Sequence, residues 1–547
     1  MGAMESIVLV LAMLLAVVAS GYLVRMLPFA VPVPLVQIAM GAVIAGAFKS
    51  GVTLDPEIFF LLFLPPLLFI DGWRIPNYGL LREKGTILEL ALGLVVFTVI
   101  GMGFLIHWMI PSMPLAVAFA LAAIVSPTDA LAVSSIAART PLPKRLLHIL
   151  QGESLLNDAT GLVCFRFAVA AAMTGAFSPG TASLTFLWMF LAGVGIGVAV
   201  TLGVTMTQMV LSGKLGEETG TPVLVNLLLP FGAYLLAEQF GASGILAAVA
   251  AGITMSYVEL TGRAPPATRM DRAAVWDTAQ FALNGVVFVL LGEQLPGILR
   301  GAVASAGQSG QANPWWLAAY AVAITLGLGL LRLAWVSVSL RISLVVARLR
   351  GEPAEPPPWR LVAAATLAGV RGAITLAGVM SLPLLLPDGS RFPARELAVF
   401  LATAVILLSL VVASIGLPRL LKGLEPPGEQ DEQRAEERAR RDAALAAIAA
   451  VEKGLHDPTV MPNDADAQSV AASRVIARYQ RRLDGGTLAG NTAAERRKAD
   501  QAERALLLAG LHAEREELFS LARQARISDE TSRKLVREVD LIEARYR

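Results

Sequence analysis

The sequence predicts an all-α polytopic membrane protein with about thirteen transmembrane helices and a cytoplasmic helical tail. Three observations carry this. Only 16% of the 547 residues are charged and 55% are hydrophobic, whereas soluble chains average about 25% charged. The charges are also uneven: residues 425–547 hold 44 of the chain's 88. Before that point, apolar stretches of bilayer-spanning length recur one after another. The expected division is therefore 1–424, a transmembrane domain, and 425–547, a charged cytoplasmic tail.

The expected spans lie at about 4–24, 31–48, 57–72, 86–109, 114–138, 146–173, 184–211, 222–240, 242–258, 277–299, 314–347, 359–380 and 395–421. The eighth and ninth meet at Gly241. Lys and Arg accumulate in cytoplasmic loops. An external N-terminus places 15 of them inside, among them Arg74, Arg82, Arg139, Arg145, Lys214, Arg263 and Arg350, against Lys49, Arg300, Arg391 and Arg395 outside. The C-terminus is then cytoplasmic. The first span has no cationic region before it, so it reads as a membrane span rather than a cleaved signal. A net charge of +2 gives no basic surplus for nucleic acid, and the single Cys164 excludes disulfides and thiolate clusters.

Charge at bilayer depth is expensive, so the few intramembrane charges are the functional candidates. The fifth span reads AIVSPTDALAV. Pro127 cannot continue a helix's hydrogen bonding, and Thr128 and Asp129 follow it, which predicts a broken helix whose freed backbone groups line a polar cavity. The sixth span opens QGESLLNDATGLV. Glu153 and Asn157 share one helical face, with Asp158 about 100° away. Burial penalises a carboxylate's charged form, which suits it to proton exchange, and oxygen ligands suit a hard monovalent cation. Arg332 in the eleventh span and Arg371 in the twelfth, flanked by Gly369 and Gly372, are the two candidates to pair with Glu153. Arg166 is a third cation at membrane depth, with no partner legible. The fifth and twelfth spans are seven positions apart, an odd offset that predicts inverted repeats, spans 1–6 and 8–13, crossing at two broken helices.

Four stretches, LFLPPLLFIDGW (62–73), SPTDALAV (126–133), GESLLNDATGLV (152–163) and GVRGAITLA (369–377), resemble bacterial sodium/proton antiporters of the monovalent cation:proton antiporter-1 family. FALNGVVFVLLGEQLP (281–296) and the closing DLIEARYR (540–547) resemble the bacterial subgroup. The resemblance implies secondary antiport of a monovalent cation, Na+ first, against H+. It also implies a homodimer in the bacterial inner membrane and no cofactor beyond the transported Na+ and H+. By resemblance, Asp158 binds cation or proton alternately, and Asn157 before it marks electroneutral members. Ser154, Thr128 and Asp129 line the site, Glu153 pairs with Arg332, and Arg371 supports the second broken helix. Many exchangers place an acid four positions after the LPP prolines. Here that position is Ile70, with Asp71 next to it, so Asp71 is a possible further ligand. Antiport of K+ or a polyamine, or a proton-gated cation channel, are the other readings. An intramembrane hydrolase is disfavoured, since GESLL lacks the G-x-S-x-G elbow.

The tail opens on a charged helix with an Ala-rich face at DEQRAEERARRDAALAAIAAVEKGL (431–455), with breaks expected at Asp457–Asp466 and Gly485-Gly486. Further amphipathic helices are expected at Leu506–Leu511 and Leu518–Leu541.

Overall fold

A computed structural model describes residues 3–26, 31–47, 56–74, 84–129, 132–133, 136, 144–175, 179–215, 220–260, 266–308, 315–349, 356–422, 429–454, 472–480, 508, 510–518 and 529–544. The expected loop cations Lys49, Arg82, Arg139, Arg263 and Arg350, and the expected tail breaks, lie outside these residues. Apart from one bridge between Leu385 and Arg391, the regular structure among them is helical.

The helices fall on the expected apolar stretches. They are α1 (Ala3–Met26), α2 (Val33–Ala47), α3 (Pro56–Arg74), and α4, which passes from Lys84–Leu88 through a π-helical turn at Glu89–Leu94 into Val95–Met109. There follow α5 (Leu115–Val125), α6 (Lys144–Thr174), α7 (Pro179–Leu215), α8 (Thr221–Gln239), α9 (Gly244–Leu260), α10 (Pro266–Gln308) and α11 (Trp315–Leu349). The last are the two halves α12a (Trp359–Leu367) and α12b (Ala373–Met380), then α13 (Arg395–Leu421). Eight of these are long and apolar enough to cross a membrane, and α2, α5 and α9 are apolar but shorter. The π turn in α4 and the start of α10 at Pro266, well before the expected span, are not visible in hydropathy. A π turn alters backbone hydrogen bonding rather than composition, and a helix can run on past an apolar stretch.

Two bundles emerge from the packing. In one, α5 packs against α4 and α6, and α13 against α11, α12a and α12b, with α4 also meeting α11. In the other, α2 packs on α10, α3 on α9, and α7 and α8 on α9. Each bundle thus combines helices from both halves of the chain. α5 is apolar all round and every residue from Val117 to Val125 except Phe119 is buried, as expected of a helix enclosed by others. The α3–α9 pair is close because Gly72 and Gly252 face each other's backbones. A Cβ at Gly252 would overlap the Phe69 carbonyl, and one at Gly72 would lie 2.7 Å from the Val249 carbonyl. Small residues let membrane helices approach in this way.

The chain divides into two compact units, Met1–Pro426 and Pro427–Arg547. In the second, the described helices include α14 (Glu429–Gly454) and α15 (Asp529–Ala544). Arg515 is paired there with Asp540 at 2.7 Å and with Glu543. Asp540 and Glu543 raise the affinity of the Arg515 guanidinium for its proton, the Glu543 hydrogen bond most of all.

Gly252→Leu is expected to lower the melting temperature and the yield of monodisperse protein. Gly232→Leu on α8, where nothing lies within 4 Å, is expected to change neither. Size-exclusion chromatography of heated detergent samples measures both.

Candidate ion-binding site

The site is built where two helices are cut. α5 stops at Val125 because Pro127 supplies no amide donor, and residues 127–129 run without helical structure. α12a stops at Leu367, and the chain is again non-helical from Gly369 to Gly372. The two breaks bond to each other: the Asp129 amide donates to the Val370 carbonyl at 2.7 Å. The Asp129 carboxylate then accepts from the Ala132 amide at 3.1 Å, so it caps the helical residues that follow. A Cβ at Gly372 would overlap that carboxylate, so the crossing requires a residue without one.

Arg371 holds the crossing together. Its Nε donates to the Val125 carbonyl at 2.8 Å and its Nη1 to the Gly369 carbonyl. One cation therefore serves the open carbonyl ends of both cut helices, where negative dipole ends favour it. Its backbone amide donates to Ser409 Oγ on α13 at 3.1 Å. Of the two arginines that could pair with Glu153, only Arg332 does so. Its Nη1 and Nη2 donate to the two Glu153 oxygens at 2.5 and 2.8 Å, and its Nε donates to the Ala365 carbonyl at 3.0 Å. Both side chains are buried.

From this pair a chain of hydrogen bonds reaches α6. Thr128 Oγ1 donates to Glu153 Oε1 at 3.2 Å and accepts from Asn157 Nδ2 at 2.9 Å. Ser154 Oγ donates to the Thr128 carbonyl at 2.8 Å. Asn157 is thereby oriented with its amide nitrogen committed, and its Oδ1 is buried without a hydrogen bond. Asp158, the next residue, is 6% exposed. Among the described residues no hydrogen bond or ion pair is directed at its carboxylate, and Asp129, Asp71 and Glu153 are near enough for their charges to act on it. Asp71 comes from α3, in the other bundle. Among the described residues no three His, Cys, Asp or Glu side chains converge as a metal cage.

Every intramembrane residue singled out in the sequence thus lies at or beside this crossing except Arg166. That residue is exposed rather than buried, and it pairs with Glu238 of α8 at 3.1 Å. Sequence reasoning missed Ser409, whose only signal is a lone hydroxyl in the apolar run LLSLVV.

A sequence model of the transmembrane sodium/hydrogen exchanger family matches residues 10–423. The chain is 44% identical to a protein of Escherichia coli (strain K12) named as an Na+/H+ exchanger, over 99% of both chains. It is 37% identical to the sodium, potassium, lithium and rubidium/H+ antiporter of Bacillus subtilis (strain 168), over 99% of this chain and 78% of that one. The fold is similar to the sodium proton antiporter NhaP1 of Methanocaldococcus jannaschii, with a TM-score of 0.59 at 17% identity, covering 78% of this chain and 99% of that one.

Removing one partner of a buried ion pair strands the other. Arg332→Leu is therefore expected to destabilise the protein by about 3–5 kcal/mol, and Arg332→Leu with Glu153→Leu by less. Thermal unfolding of the two variants in detergent compares them.

Proposed function

The chain is a member of the sodium/hydrogen exchanger family, and we propose that it exchanges Na+ for H+ across the bacterial plasma membrane, one for one, through competition for Asp158. It is a multi-pass membrane transporter of the cation/proton antiport class. The observation that carries the finer reading is the inequality among the buried acids. Glu153 is held by Arg332 and Thr128, and Asp129 caps a helical turn. Asp158 alone of these three has neither ion pair nor hydrogen bond among the described residues, though it is buried.

Deprotonated, Asp158 offers a cation its carboxylate, with the free Asn157 Oδ1 beside it and Ser154, Thr128, Asp129 and Asp71 around it. Protonated, it offers no charge, and the cation leaves. Either neutral form crosses between inward- and outward-facing states, whereas an empty charged site is costly to move through a low-dielectric interior. The bundle of α4–α6 and α11–α13 carries the site, and the bundle of α1–α3 and α7–α10 supplies Asp71 and the scaffold of a homodimer. Asn157 beside Asp158 leaves one exchanging carboxylate, hence one proton per cation. The N-terminus faces outside and the tail the cytoplasm, the orientation favoured by the loop cations. Potassium is a second candidate substrate, because the Bacillus subtilis relative is named for sodium, potassium, lithium and rubidium.

In proteoliposomes, Asp158→Asn is expected to abolish Na+-driven proton flux, at least a hundredfold below the native chain, while the protein still elutes as a folded species. The native rate is expected to be indifferent to an imposed membrane potential. Substantial flux in the variant overturns the assignment to Asp158, and a potential-dependent rate overturns the one-for-one exchange.

A further inference from the structure

Away from the crossing, α6 makes a second polar contact. Arg166 lies eight residues after Asp158 on the same helix, about 12 Å further along it, and donates to Glu238 Oε1 at 3.1 Å. Glu238 sits one residue from the end of α8, in the opposite bundle. The other ion pairs described in the membrane unit each stay within one bundle: Glu153–Arg332 and Arg395–Glu396 in the first, Glu259–Arg272 and Arg74–Asp277 in the second. α6 and α8 share little backbone packing, so the pair joins two helices that the fold does not otherwise press together.

Two features make this contact reversible. The side chains are 41% and 34% exposed, so protein does not enclose the pair and it can part without opening the core. Glu238 Oε1 also accepts from the Gly244 amide at 3.2 Å, at the start of α9, where a helix N-terminus favours an anion. That corner is itself held to α7, because the Ser243 amide donates to the Met189 carbonyl at 3.2 Å. Glu238 therefore keeps a partner on its own bundle whether or not Arg166 is present. The carboxylate is fixed, and the arginine is the part that leaves.

We propose that the Arg166–Glu238 pair is a latch between the bundles on the face of the membrane toward which α6 ends, closed in the state described here and broken each time Asp158 turns to that face. This rests on the exchange reading above, in whose orientation that face is the outer one. The pair stabilises the state closed on that side, and a part-exposed pair biases such an equilibrium by about two- to fivefold.

The test uses the full-length chain in proteoliposomes with Cys164→Ala, Arg166→Cys and Glu238→Cys. Bridging the two thiols with a short bifunctional methanethiosulfonate is expected to reduce Na+-driven proton flux by more than tenfold, and reductant to restore it. A monofunctional methanethiosulfonate is expected to leave the flux. Flux in the bridged protein equal to that of the reduced protein overturns the latch while leaving the exchange reading intact. A native chain with no Na+-driven flux at all overturns the exchange reading, and the latch with it. Separately, Arg166→Gln and Glu238→Gln are each expected to shift the half-saturating Na+ concentration by about two- to fivefold, and the double variant by no more than either. Additive shifts, or none, overturn the pairing.

Discussion

Two membrane helices are cut at their centres, and the carbonyls freed by the cuts have to be satisfied where no water from the bilayer can reach them. Arg371 does this for both at once, through Val125 and Gly369. The rest of the site follows from that contact. With the ends of α5 and α12a gathered on one guanidinium, the Asp129 amide falls opposite the Val370 carbonyl, and Thr128 is presented to α6. Glu153 and Arg332 then lock α6 against α11, and Asn157 is turned by Thr128. The consequence is a buried carboxylate, Asp158, beside groups of α5 and α6 that are committed to one another, with the Asn157 amide oxygen left unbonded next to it.

This division separates a hydrogen-bonded framework from the carboxylate proposed to exchange. Ionic framework buried in a membrane contributes little net stability against an apolar alternative, but breaking it is costly. It therefore serves better to fix geometry than to add stability. The network through Glu153, Arg332 and Arg371 ties together α5, α6, α11, α12 and α13, all in one bundle. Asp71 approaches from the other bundle on α3, which Gly72 and Gly252 seat tightly on α9. The uncommitted carboxylate thus lies close to the boundary along which the two bundles meet.

Much of this arrangement is legible in the amino-acid sequence. Pro127 announces the first cut, and the glycines flanking Arg371, Gly369 and Gly372, mark the second. The i, i+4 spacing of Glu153 and Asn157 places both on one face, and both join the same hydrogen-bond chain. Residue spacing does not tell which arginine pairs with Glu153, because Arg332 and Arg371 both sit in apolar runs and only the packing of α11 against α12a decides between them. Arg371 serves carbonyls, which carry no side-chain signature. The Arg166 pairing is hidden for a similar reason: Glu238 lies at a helix end, where an acid is ordinarily read as solvated. The π turn in α4 changes backbone hydrogen bonding and leaves hydropathy untouched.

One carboxylate, Asp158, is proposed to serve cation and proton in turn. The direct test is to add NaCl to the purified chain in weakly buffered detergent solution and count protons released per Na+ bound. Release is expected to approach one proton per cation when the site begins protonated, and to be absent from Asp158→Asn. Tight Na+ binding without proton release, or unchanged release from that variant, would contradict it.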